Sequence, residues 1–156
     1  MMTGRSEASG PQAAGLILLV EDDPSDAEIT IRALRRARLL NPVRVVPDAE
    51  SALMLLQRQE YEGRIEDRRV DLLLLDLGLP RMSGRELLDT IWDDRHLQHI
   101  PAIVLTSSDS VTDRLRSYKH GALGFLNKPI DVAELFRVLS DRSDAGLVFV
   151  RTERKG

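Results

Sequence analysis

From Leu16 onward, short apolar runs alternate with stretches whose apolar residues recur every three to four positions. That alternation predicts βαβ units stacked on a parallel sheet. Leu16–Val20 reads as a continuous apolar strand that stops at Glu21, Asp22 and Asp23. Pro24 suits a first helical turn and Asp23 suits its cap. Ala27, Ile31 and Leu34 carry that helix to an expected end near Leu40, because Pro42 disfavours a helical Asn41. Val43–Val46 is a second short strand, followed by a helix from about Ala49 to Gln59 with Ala52, Leu53 and Leu56 inward. Tyr61 to Arg69 reads as a charged loop. Val70–Leu75 is too apolar to have one wet face, so it belongs in the middle of the sheet, and Asp76 ends it.

The same rhythm continues to the other end of the chain. Arg81 or Ser83 opens a helix with Leu87, Leu88 and Ile91 apolar and Trp92 as a partner at its edge. Ala102–Leu105 is a strand ending in Thr106. Val111, Leu115 and Tyr118 predict a fourth helix, stopped by Gly121. Gly124–Asn127 is a fifth strand; Lys128 and Pro129 follow, then a helix from Asp131 with Val132, Leu135, Phe136 and Leu139 inward.

Composition narrows this picture. At 156 residues, 42% hydrophobic and 30% charged, the chain can build one continuous core and is too short for two ordinary domains. A net charge of −3 is too weak an imbalance to recruit nucleic acid electrostatically. The chain has no cysteine, which removes disulfides, thiolate metal sites and cysteine nucleophiles together. Residues 1–15 are small and polar and read as a disordered leader. No run is long enough for a signal peptide or a bilayer span, so a cytoplasmic protein that does not engage membranes is expected.

Chemistry is concentrated at the strand ends. Glu21 with Asp22, Asp76, Thr106 and Lys128 are polar residues that a plain core does not need. In an open α/β sheet, ligands bind outside the carboxyl ends of the strands, so these four ends converge on one site. Grouped carboxylates repel one another unless a cation sits among them, and an all-oxygen set favours Mg²⁺. Lysine and a hydroxyl complete an anion site. Such a set suits formation of an acyl phosphate, with Asp76 as nucleophile because it follows the most buried strand, and Glu21 and Asp22 as metal holders.

In these residues the chain resembles the receiver domains of two-component response regulators. The matching segments are LLVED with Glu21 and Asp22, LLLLDLGLPRMSG around Asp76, VLTSSD around Thr106 and FLNKP around Lys128. The joint spacing covers Leu16 to Ser140, expected as the domain between the leader and a tail at 141–156. The resemblance implies an α/β, flavodoxin-like doubly wound five-stranded parallel sheet, (βα)5, with strand order 2-1-3-4-5.

For the site, the resemblance implies that Asp76 accepts a phosphoryl group from a histidine kinase. Mg²⁺ is then held by Asp22, Asp76 and the backbone carbonyl of Gly78, with Glu21 acting through a water. Thr106 moves onto the phosphoryl oxygen, and Phe125 rotates inward and reshapes the face of the fourth helix, fifth strand and fifth helix. Gly78 and Ser108 occupy the positions that tune dephosphorylation. By the texture of LDLGLPRMSGRELL and its trailing tail, the chain is most similar to phytochrome-associated single-domain regulators, which implies a bacteriophytochrome kinase as phosphodonor.

Plainer readings compete at several positions. Asp23 is equally well a helix cap, Lys128-Pro129 a turn, and Phe125 a core residue. Family practice puts a cis peptide at Lys128-Pro129, where the sequence shows only that proline permits one. His96 and His99 lack a third ligand nearby, and Arg32, Arg35, Arg36 and Arg38 read as a solvated helix face or as a contact for a kinase or partner. Leu147, Val148, Phe149 and Val150 are costly to expose near a chain end. They either pack back on their own domain or extend the last helix, or they cross to a second copy as the arm or added strand of a homodimer. The sixteen residues after Ser140 are too few for an output domain, so output through protein contacts is expected. A phosphorylation-independent adaptor and an aspartyl-phosphate hydrolase are the rival functions. The hydrolase requires an acid two residues past the nucleophile, where this chain has Gly78.

Overall fold

The computed structural model describes residues 15–39, 41–59, 64–65, 68–76, 79, 81–106 and 124–141. The expectations for the leader, Gly78, Ser108, the fourth helix and Leu147 to Val150 lie outside the described residues. In chain order the elements are β1 (Leu16–Val20), α1 (Pro24–Arg36), β2 (Val43–Val46), α2 (Ala49–Gln59), β3 (Arg64–Ile65), β4 (Arg68–Asp76), α3 (Gly84–Asp93), β5 (Ala102–Thr106), β6 (Gly124–Asn127) and α4 (Val132–Asp141).

The long strands form a parallel sheet in the order β2-β1-β4-β5-β6, which is 2-1-3-4-5 when only the parallel strands are counted. This is the flavodoxin-like order, with β4 at the centre. Leu18 lies beside Leu73 and Val20 beside Leu75; Leu75 in turn lies beside Val104. Those residues face one core, closed by Ala52 and Leu56 of α2 and Leu87 and Ile91 of α3. Ile17, Leu19, Leu72, Leu74, Ile103 and Leu105 face the other, closed by Leu34 of α1 and Leu135 of α4. Both faces of the central strands are therefore dry, which explains their unbroken apolar sequence. Truncating Leu73 to alanine would cost about 2–5 kcal/mol, because it is fully buried in a packed layer.

Three local features differ from the sequence expectation. The segment read as a loop before the central strand contains β3, whose Arg64 and Ile65 pair antiparallel with Arg69 and Arg68, so β4 starts two residues before Val70. Charge hid this strand pair, because its backbone pairing needs no apolar side chains.

The second difference is where α1 stops: it ends at Arg36, a turn before Leu40. Arg38 takes a left-handed φ of 66°, and the Leu39 N–H donates back to the Leu34 carbonyl at 3.1 Å. This is the hydrogen-bond signature of a Schellman stop. Arg35 fastens it by donating to the carbonyls of Leu39 and Asn41 at 2.8 and 2.9 Å, so this arginine is not simply part of a solvated face.

Third, Trp92, expected as a partner at the edge of the α3 apolar face, is 44% exposed.

The starts of the helices fix the end of the sheet where ligands would sit. Asp23 caps α1 by accepting from the N–H groups of Ser25 and Asp26. Ser83 and Glu86 form a reciprocal capping box at α3, an arrangement in which the serine cap alone is worth about 1 kcal/mol. Gly84 opens α3 where a Cβ would stand 3.0 Å from the Asp76 carbonyl oxygen. Glycine therefore lets α3 approach the tip of the central strand.

Candidate phosphoacceptor and metal site

The parallel register delivers the chemical groups to one end of the sheet. Asp76 is the last residue of β4 and lies beside Leu105. Thr106, the last residue of β5, lies beside Asn127 of β6. The Lys128 N–H donates to the Thr106 carbonyl at 2.8 Å, extending the pairing one step beyond the strand. On the other side of β4, the Glu21 N–H donates to the Val46 carbonyl at 2.9 Å and holds the start of the acidic run against the sheet.

Side chains then meet above these ends. Glu21, Asp22 and Asp76 each present a carboxylate oxygen, and the three oxygens lie within 4.8 Å of one another. Lys128 Nζ stands 2.9 Å from Glu21 Oε1, 2.8 Å from Asp26 Oδ2 and 3.4 Å from Asp76 Oδ2. Glu21 Oε2 also accepts from the Asp23 N–H at 3.2 Å. Glu21, Asp76 and Thr106 are buried, while Asp22 faces solvent. The Lys128-Pro129 peptide is cis.

The electrostatics are unbalanced. Burial pushes the Glu21 carboxyl from 4.5 up to about 7, and the charge of Asp76 adds to that push against the pull of Lys128 and the Asp23 N–H. For Lys128, burial works against the ammonium, but the carboxylates of Asp26 and Glu21, with the charge of Asp76, outweigh it and hold the group above its ordinary value. One ammonium is shared among several carboxylates, and that deficit of positive charge fits a divalent cation. The cluster that fits such an ion has Asp22 on its solvent side and Glu21 and Asp76 buried. Both Glu21 oxygens are engaged by protein donors.

Glu21, Asp22, Asp76 and Lys128 are thus brought together, and Thr106 stands at the adjoining strand end. Phe125 is half-buried beside Val104 and packs against the core under α2 and α3. No group of potential metal ligands among the described residues includes His96 or His99. The sequence reading missed Asp26. Its signal is its position as an acid in the first turn of α1, directly after the acidic run that ends β1. A second ionic cluster also escaped notice. Arg81, at a left-handed φ of 57°, reaches Asp48 at 3.2 Å and Glu50 at 3.4 Å, and Glu50 also accepts from the Met82 N–H at 3.1 Å.

Residues 17–140 match the response regulator receiver domain family. Response regulator Rcp1 of Synechocystis sp. (strain ATCC 27184 / PCC 6803 / Kazusa) is 34% identical over 135 residues, which cover 86% of this chain and 88% of that protein. Among solved structures, the Mn²⁺-bound form of Rcp1 is similar with a TM-score of 0.63 at 30% identity, covering 90% of this chain and 99% of that one. The bacteriophytochrome response regulator AtBRR reaches a TM-score of 0.75 at 35% identity, covering 90% of this chain and 99% of that one. The phosphorylated cyanobacterial phytochrome response regulator RcpA reaches 0.62 at 31% identity, covering 85% and 93%. With this sheet order and a lysine set among carboxylates at its carboxyl end, the chain belongs to the response regulator receiver domains and is a signalling protein close to the phytochrome response regulators.

Proposed function

We propose that Asp76 is the phosphoacceptor of this receiver and takes its phosphoryl group from the phosphohistidine of a histidine kinase, a bacteriophytochrome being the donor that the relatives favour. The observation that carries this reading is the position of Lys128 Nζ, within hydrogen-bonding reach of Asp76 and Glu21 while both carboxylates belong to one potential cation site. An Asp76 oxygen attacks phosphorus, the O–P bond forms as the P–N bond breaks, and the imidazole leaves. Lys128 and the Thr106 hydroxyl stabilise the phosphoryl oxygens by charge and hydrogen bonding. Asp22, Asp76 and the Gly78 carbonyl, with Glu21 through a water, would hold a Mg²⁺ ion, which when bound would neutralise charge on the phosphoryl oxygens. The Mn²⁺ of the Rcp1 structure supports a divalent ion here.

Thr106 then engages the phosphoryl group, and Phe125, half-buried and therefore able to be drawn further in, moves inward and alters protein contacts. Gly78 and Ser108 set the lifetime of the phosphoryl group. Leu147, Val148, Phe149 and Val150 form an arm that completes a homodimer. The protein works in the cytoplasm; no described helix is long and apolar enough to cross a membrane.

Incubation with acetyl phosphate and Mg²⁺, followed by intact mass, is expected to give one labile phosphoryl adduct that Asp76→Asn abolishes. An unmodified wild-type chain would favour the adaptor reading, and steady release of phosphate from phosphate monoesters would favour the hydrolase. Truncation after Asp144 is expected to lower the molar mass seen by light scattering, and an unchanged mass would remove the arm from the dimer.

A further inference from the structure

Lys128 has three N–H donors and three carboxylate partners, and the partners differ in how easily they can be given up. The Glu21 side chain is fully buried, so its contact at 2.9 Å has no water to replace it. Asp76, the reacting group, is the most distant at 3.4 Å and its side chain is 10% exposed. Asp26 holds the ammonium at 2.8 Å, yet its side chain is 41% exposed. It also lines a cavity of about 230 Å³ with Ile29, Thr30, Lys128 and Pro129. Water entering from that side can solvate the Asp26 carboxylate when the ammonium leaves it. Of the three contacts, the one with Asp26 is both the shortest and the least costly to exchange.

From this geometry we propose that Asp26 is a positioning residue for phosphoryl transfer. It draws the Lys128 ammonium closer to itself, at 2.8 Å, than to Asp76, at 3.4 Å, before the reaction and yields it to the phosphoryl oxygens as the O–P bond forms. This rests on Asp76 being the acceptor. No proton moves between Asp26 and Lys128; a carboxylate partner is exchanged for a phosphoryl one. The carboxylate of Asp26 thus competes with the incoming phosphoryl group for one donor, and its charge opposes a second anion nearby.

Asp26→Asn keeps the shape and the first-turn position while removing the charge. It is expected to raise the rate of adduct formation with acetyl phosphate and Mg²⁺ about fivefold. Asp26→Glu, which restores a carboxylate, is expected to return the rate to within twofold of wild type. Glu28→Gln removes an equal charge from the same helix at a residue paired with Arg32, and is expected to leave the rate within twofold. The rate gain in Asp26→Asn and its reversal in Asp26→Glu are readouts that a purely structural role would not move, and lysine-selective ¹⁵N spectra report the contact itself. The Lys128 ammonium, distinguished from Lys119 and Lys155 by substitution, is expected to exchange its hydrogens faster in Asp26→Asn than in wild type.

An Asn variant that reacts at or below the wild-type rate overturns the proposal, as does equal acceleration by Glu28→Gln. If the wild-type chain forms no adduct, the assignment of Asp76 itself fails and takes this inference with it. If wild type reacts and the Asn variant only matches it, this inference fails alone.

Discussion

Lys128 and Arg81 each collect carboxylates above the same end of the sheet, but in different surroundings. The Lys128 side chain is 12% exposed and faces Glu21, Asp26 and Asp76. Arg81 is 64% exposed and faces Asp48 and Glu50 from the loop that enters α3. In water the arginine cluster gains little from its ion pairs and can lose them at little cost. Around the lysine, water is scarce, and removing the cation would leave buried carboxylates with no counter-charge. A count of ion pairs, three against two, thus conceals the larger difference, which is how much water surrounds each cation.

The largest expected effect comes from breaking the buried set. Lys128→Met should cost about 3 kcal/mol in urea denaturation without metal. It should also slow formation of the Asp76 adduct at least about a hundredfold. Added Mg²⁺ should recover part of the lost stability, because a dication supplies the missing charge. Recovery no greater than in wild type would show that the carboxylates do not share one ion.

A smaller effect concerns pH. Glu21 has a folded-state value raised from 4.5 to about 7. Its contribution to stability in the metal-free protein is therefore fully present below about 4.5 and lost as pH rises through about 7. Denaturation at pH 5.5 and 8 should show the decline, Glu21→Gln should flatten it, and Mg²⁺ should oppose it by favouring the ionised carboxylate. An identical pH slope in the Gln variant would remove Glu21 as the source.

The smallest effects belong to Arg81. Arg81→Ala should cost less than about 1 kcal/mol and leave adduct formation within threefold. Arg81→Gly loses the same ion pairs but is at ease with the left-handed φ of 57°. It should therefore be more stable than the Ala variant in thermal melts. The reverse order would mean that the ion pairs with Asp48 and Glu50, rather than backbone strain, dominate at this position.

The strands and the site residues were legible for related reasons. Leu72 to Leu75 declare a strand dry on both faces, and an apolar run broken by Glu21, Asp76 or Thr106 marks its carboxyl end. The β3 pair was not legible, because Arg64, Arg68 and Arg69 conceal backbone hydrogen bonding behind charge. Nor was the early stop of α1, which depends on Arg38 adopting a left-handed conformation and Arg35 reaching forward to two carbonyls.

By itself the sequence determined which residues end strands and that acids, a hydroxyl and a lysine are available, since these follow from local periodicity and residue chemistry. Only the tertiary structure decided that Lys128 shares its ammonium among Glu21, Asp26 and Asp76, and which of those contacts is dry. The residues are separated by as many as 107 positions along the chain. Their charges acquire meaning only where the parallel sheet sets them a hydrogen bond apart and packing controls how much water remains between them.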